Sequence, residues 1–201
     1  MNSVSPPSPA QVYTERTPNP DAMKFVVNRV LLKSGTKEFK FGSEAAHFPI
    51  VQQLFNFPFV RSVFVGSNFI TITKTDASDW MEVAPALRAF LLEQFDAHPR
   101  FIVEAKGEAG TQIANPSIQE PSNEIEEKIV AILDEYIRPA VEGDGGNIAF
   151  RGFESGVVRV ELQGSCSGCP SSTVTLKAGI EALLKRMVPE VEQVIAENQT
   201  H

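Results

Sequence analysis

Cysteine is nearly absent from this chain: there are two in 201 residues, Cys166 and Cys169. Two thiols cannot form a disulfide framework, and a gap of two residues points instead to metal or redox chemistry. Histidine is scarce as well, with His47, His98 and His201 only, so a site built on imidazoles has little to draw on. No stretch approaches the ~18 uninterrupted apolar residues of a spanning helix. The first twenty residues have neither a basic n-region nor an apolar h-region, which predicts a soluble protein that is not secreted. Lack of an Arg-rich, acid-poor amphipathic leader predicts a cytoplasmic protein of a bacterium over an organellar one. A cationic excess is missing too. The formal net charge is −7, with 11 Lys+Arg against 12 Asp+Glu in residues 1–122 and 7 against 13 in residues 123–201. Phosphate backbones are bound largely by cations that displace counterions, so no nucleic-acid partner is expected, and no membrane one.

What is present is a globular composition, 42% hydrophobic and 21% charged. Residues 1–10 are rich in Pro and Ser and read as a disordered tail, because they offer too little apolar surface to offset ordering. Residues 107–122 mix Gly, Pro, Ser and Gln without periodicity and read as a flexible linker. These segments divide the chain into a first domain over 11–106 and a second over 123–198. In the first, Val12 to Glu15 and Lys24 to Arg29 suit strands around the turn-forming Thr17-Pro-Asn-Pro-Asp21. A helix is predicted from Glu44 to Phe55, broken or kinked at Pro49. Val60 to Thr73 reads as a hairpin turning at Gly66-Ser67-Asn68. After Asp79, Val83, Leu87, Phe90, Leu91 and Phe95 recur at helical spacing, and Phe101 to Val103 suits a last strand. Trp80 and the Phe55-Asn-Phe-Pro-Phe59 stretch are expected in the core, or at a docking surface if exposed.

In the second domain Asn123 and Glu126 have the spacing of a capping box. Ile125, Ile129, Ile132 and Tyr136 form one face of a helix predicted to stop at Pro139. Asn147 to Arg151 and Val157 to Glu161 read as two strands joined at Glu154-Ser-Gly156. A second helix carries Leu176, Ile180, Leu183 and Met187, and a third strand is expected over Val191 to Ile195. Both domains are therefore α+β, the second ordered helix, strand, strand, helix, strand.

Between the second strand and second helix lies Gly164-Ser-Cys-Ser-Gly-Cys-Pro-Ser-Ser172. The spacing lets both sulfurs turn toward one point, Gly168 leaves room there, and Pro170 suits the first turn of a helix. Helix N–H groups aimed at the sulfurs would stabilise thiolate over thiol. On the pair alone three chemistries stay open: a redox dithiol, half of a Zn(Cys)4 site, and half of an iron–sulfur site. A [4Fe–4S] or [2Fe–2S] centre usually takes four thiolates, and this chain has two, so two copies sharing one centre across a two-fold axis would complete the shell. Asp144-Gly145-Gly146 reads as a turn, and Lys177 as part of a solvated helix face.

The segment from Gly164 to Glu181, with Arg138-Pro139 and Asp144-Gly-Gly146 upstream, closely resembles the C-terminal domain of the NifU-like (Nfu) iron–sulfur carriers. Asn147 departs from that pattern, which has aspartate after the two glycines. Thr17 to Phe25, Val63 to Gly66, Phe69 to Lys74 and Trp80 resemble the N-terminal domain of the same family. The resemblance implies a non-enzymatic scaffold or carrier. It implies a [4Fe–4S] cluster, with [2Fe–2S] as the other form, bound by Cys166 and Cys169 at a homodimer interface. Upstream assembly proteins would supply the cluster and apo iron–sulfur proteins would accept it, as their thiolates replace Cys166 and Cys169 stepwise. The first domain would dock or stabilise. A dithiol oxidoreductase and a zinc-bridged structural dimer are the competing readings.

Overall fold

The computed structural model describes residues 9–98, 123–167 and 170–197. Residues 1–8 of the tail expected over 1–10, the linker expected over 107–122 and the strand expected at Phe101 to Val103 lie outside the described residues. The expected α+β class is what the chain adopts, with two sheets and two separate hydrophobic cores.

The first sheet has five antiparallel strands: β1 (Val12–Arg16), β2 (Ala22–Val27), β3 (Lys37–Phe39), β4 (Val60–Val65) and β5 (Phe69–Lys74), in the order β1-β2-β5-β4-β3. Alternation along these strands sends Phe25, Val27, Val63, Val65, Ile70 and Ile72 into one core. Helices α1 (Pro49–Leu54) and α2 (Trp80–Ala97) close that core with Leu54, Leu87, Leu91 and Phe95. Pro49 does break the expected helix: a 3-10 turn over Gly42–Ala45 precedes it, and Pro49 opens α1, where its missing N–H is not needed. Asp79 caps α2 by accepting from the Met81 amide at 2.7 Å. The ordered chain starts before Gln11, since Ala10 is buried and donates its amide to Asp96 Oδ1 at 2.8 Å.

The second sheet pairs β6 (Gly146–Glu154) antiparallel with β7 (Val157–Gly164), and β7 parallel with β8 (Gln193–Glu197). Helices α3 (Glu124–Ile132), α4 (Arg138–Gly143) and α5 (Pro170–Met187) precede and connect these strands. Asn123 caps α3 by accepting from the Ile125 and Glu126 amides, and the Glu126 carboxylate accepts from Phe153 N at 3.2 Å.

Two expectations are corrected here. The first helix does not stop at Pro139: a π turn over Leu133–Ile137 leads directly into α4, with the proline in its first turn. The wider turn relieves the clash of a mid-helix proline with the preceding carbonyl. The extra residue also rotates the face, so Tyr136 is exposed and Leu133 takes the core position. In α5 the buried residues are Ile180 and Leu184, followed by Val188 just past its end, while Leu183 is half-buried and Met187 exposed.

The two sheets lie against each other. On the first, Lys24, Phe64, Phe69, Thr71 and Thr73 point away from their own core and are buried. On the second, Asn147, Glu161 and Gln163 lie on the face opposite the apolar Ile148, Phe150, Val160 and Leu162, and are buried too. Among the described residues, no helix is long and apolar enough to cross a membrane.

Candidate functional site

Strand β7 ends at Gly164 and α5 begins at Pro170, so the cysteine loop joins a strand to a helix as its spacing predicts. Ser165, Cys166 and Ser167 are described; Gly168 and Cys169 lie outside the described residues. The structure thus locates one of the two expected ligands.

Cys166 is buried. It is 6% exposed and packs at the edge of the second core. Gly146, at the start of β6, makes this possible: a Cβ there would stand 2.9 Å from Cys166 Sγ and 2.6 Å from Gln163 O. Gly164 is required for a different reason, since its φ of 66° is left-handed and a Cβ would collide with Gly145 O at 2.7 Å. The loop is then stitched to the turn before β6. Ser165 donates its hydroxyl to Asp144 O at 2.6 Å and its amide to Gly145 O at 3.3 Å, and its Oγ lies 3.7 Å from Cys166 Sγ. Ser167 donates its amide and hydroxyl to Gly164 O at 3.1 and 2.8 Å. Asp144-Gly145-Gly146 is the turn expected from its glycines, with Gly145 at φ 82°. Its place under Cys166 is what the sequence did not reveal.

Nor did the sequence reveal that the first domain reaches the loop. Asn19, in the Thr17–Asp21 turn, donates its amide to Ser165 O at 3.1 Å. Glu38 on β3 accepts from Gly164 N and from Ser167 Oγ, both at 3.2 Å. Thr71 donates its hydroxyl to Gly145 O at 2.6 Å, and Lys24 its ammonium to Gly143 O at 3.0 Å. Burial pushes the Glu38 carboxyl up from its ordinary range, against the pull of the Gly164 amide and the Ser167 hydroxyl. Beside the loop, Asn147 donates to Thr36 Oγ1 at 2.9 Å and to Gln163 Oε1 at 3.3 Å, and accepts from Arg138 Nη1 at 2.6 Å.

The remaining candidates keep their plain readings. His47 is exposed, and His98 is exposed with its Nδ1 3.1 Å from Gln94 O; His201 lies outside the described residues. Phe55, Phe57 and Phe59 are partly buried against the first core. Trp80 is half-buried too. It donates to Pro20 O at 2.9 Å and lines an open groove between β1 and α2.

Comparison with known proteins matches both halves. Residues 12–98 match the family model described as scaffold protein Nfu/NifU N terminal, and residues 129–195 match the NifU-like domain. A Drosophila virilis protein named NFU1 iron-sulfur cluster scaffold homolog, mitochondrial, is 41% identical over 184 residues, covering 91% of this chain and 60% of its own. The human protein of the same name is 39% identical over 186 residues, covering 91% of this chain and 70% of its own. A solution structure of a NifU-like protein from Saccharomyces cerevisiae aligns at TM-score 0.44 and 27% identity, over 53% of this chain and 92% of that one. The chain thus spans about three fifths of the fly relative's length. The relatives' mitochondrial names overturn the cytoplasmic placement expected from composition. The expected placement rested on the composition of one short stretch, which does not by itself decide a compartment. With both domain models matched in order and the human relative covered over most of its length, the chain belongs to the NifU-like (Nfu) family.

Proposed function

We propose that this protein is a scaffold and carrier that holds an iron–sulfur cluster between two copies of itself and passes it to apo-proteins. Cys166 and Cys169 are its ligands. The cluster is cargo, not a resident catalytic group, and the protein is not an enzyme. The observation that carries the reading is the position of Cys166, a thiol in the loop between β7 and an eighteen-residue helix, propped by Gly146 and Ser165, in a chain whose one other cysteine is Cys169. The names of the fly and human relatives, cluster scaffolds, support it.

Two thiolates per chain supply half the usual ligand set of a [4Fe–4S] cluster or of the smaller [2Fe–2S] form. A homodimer supplies the other half by symmetry. A cluster held by two ligands on each side leaves by ligand exchange, as thiolates of an apo iron–sulfur protein replace Cys166 and Cys169 stepwise; an upstream assembly protein loads it the same way. We further propose a second domain over 123–198 and a connector over 107–122; the first domain ends at 106 and extends the expected 11–106 to include Ala10.

Anaerobic reconstitution tests the reading. Wild-type protein should turn brown and hold iron and sulfide, while Cys166→Ser and Cys169→Ser should each lose them. A colourless dimer holding zinc, or a monomer cycling an internal disulfide with reductase activity, would replace the reading with one of its competitors.

A further inference from the structure

Strand β1 is an edge of the first sheet: it pairs with β2 on one side and, among the described residues, with no strand on the other. The register fixes which backbone groups turn outward. Asn28 donates its amide to Gln11 O, so by alternation Tyr13 and Glu15 bond to β2, while Val12, Thr14 and Arg16 turn their peptide groups away from it. Arg88 of α2 takes the Val12 carbonyl, with Nε at 2.8 Å. The amide and carbonyl of Thr14 and the amide of Arg16 are left on the side of the groove between β1 and α2. An edge open in this way, with no proline or bulge in its five residues, is a template for a further strand.

The groove beside it is roomy, about 970 Å³, and its walls are set in advance. Trp80 is fixed by its bond to Pro20 O, and Met81 next to it is 86% exposed. Pro85, inside α2, has no amide to give the Met81 carbonyl, so the helical wall offers an acceptor as well as apolar surface. Arg16 and Arg88 supply charge to the same groove, and neither is paired with a carboxylate among the described residues. The acidic side chains nearby are engaged, Glu15 with Lys24 Nζ at 3.2 Å and Asp79 with the Met81 amide.

These features describe an occupant. It is extended, so that its backbone pairs with Thr14; it carries apolar side chains for Trp80 and Met81; and it is acidic, to meet two guanidinium groups. A second copy fits worse. Two β1 edges paired antiparallel about Thr14 would set Arg16 of one copy opposite Val12 of the other, where Arg88 is already bound, and like charges would meet. We propose that the β1 edge and its groove are a docking site for an extended, acidic and apolar segment of another protein, which joins the first sheet beside β1. The site uses neither cysteine, so it goes beyond the cluster reading and stands or falls without it.

The test selects peptides from a random displayed library on the full-length protein and measures the enriched sequences by fluorescence anisotropy. They should combine carboxylates with apolar residues. Thr14→Pro removes an outward amide but spares the ladder to β2, and should weaken their binding roughly tenfold. Arg16→Glu, at an exposed position, should weaken it by a similar factor, and peptides with lysine in place of the carboxylates should bind that variant better than wild type. Circular dichroism should be unchanged in both; the Arg16 variant carries the test if the proline variant does not fold. Enriched peptides that bind both variants as tightly as wild type, or a selection that enriches no acidic sequence, would overturn the proposal. So would a dimer in sedimentation that Thr14→Pro disperses, which would give the edge to a second copy. None of these readings involves iron, so their failure leaves the cluster reading untouched.

Discussion

Cys166 behaves as a core residue as well as a candidate ligand, and that dual character governs its substitutions. Serine there leaves a hydroxyl among Ile148, Leu162 and their neighbours, so Cys166→Ser should cost about 1–2 kcal/mol on urea unfolding in addition to its loss of iron. Gly146→Ala should be at least as harmful, about 1–3 kcal/mol, because the new methyl meets the backbone oxygen of Gln163 as well as the sulfur. A titrating side chain acts farther along α5. Glu181 accepts from Lys185 Nζ at 2.7 Å and from Val194 N at 3.0 Å, tying the helix to β8. The Lys185 ammonium first, then the Val194 amide, hold its carboxyl below the ordinary range. The folded chain therefore binds fewer protons here than the unfolded one, and the stabilisation is complete above the ordinary carboxylate value and lost as pH falls through the depressed one. Glu181→Ala should lower the urea midpoint at neutral pH, with the gap to wild type closing in the acid range. The cysteine pair was legible in the sequence because few residue types bind soft metals and the spacing is short. Glu38 was not, because nothing local marks a carboxylate whose partner amide lies 126 residues away.

At the scale of elements, the order of strands and helices was readable from periodicity and turn chemistry, while their faces and ends were less so. The hairpin at Gly66-Ser67-Asn68 and the cap at Asp79 follow from local rules. Strand β3 does not: Lys37-Glu-Phe39 has one buried apolar side chain, and its pairing with β4 defines it. Helix α5 carries enough apolar residues for two stripes at 3.6 spacing, and the fold buries Ile180 and Leu184, with Val188 just past the helix, in preference to Met187. The π turn is the clearest case, since one extra residue in a turn is invisible to a periodic reading. It makes a sharp prediction: Leu133→Ala should cost about 2–5 kcal/mol, and Tyr136→Ala, on the exposed side, under about 1 kcal/mol. Equal costs in chemical unfolding would mean that the helix runs through without the turn.

At the scale of the whole molecule, the sequence announced two domains and their family, but not that one sheet would lie on the other. Each core is set by alternation within its own strands; the contact between them is set by polar side chains that look solvated when read alone. That contact ties the first domain to the loop through Asn19, Glu38 and Thr71. The account still stands on one quantity, the number of chains that own each cluster, and native mass spectrometry of anaerobically loaded protein reads it directly. The expected species is two chains with one cluster, absent from both cysteine-to-serine variants; a single chain carrying a whole cluster, or a dimer whose added mass is zinc, would contradict the account.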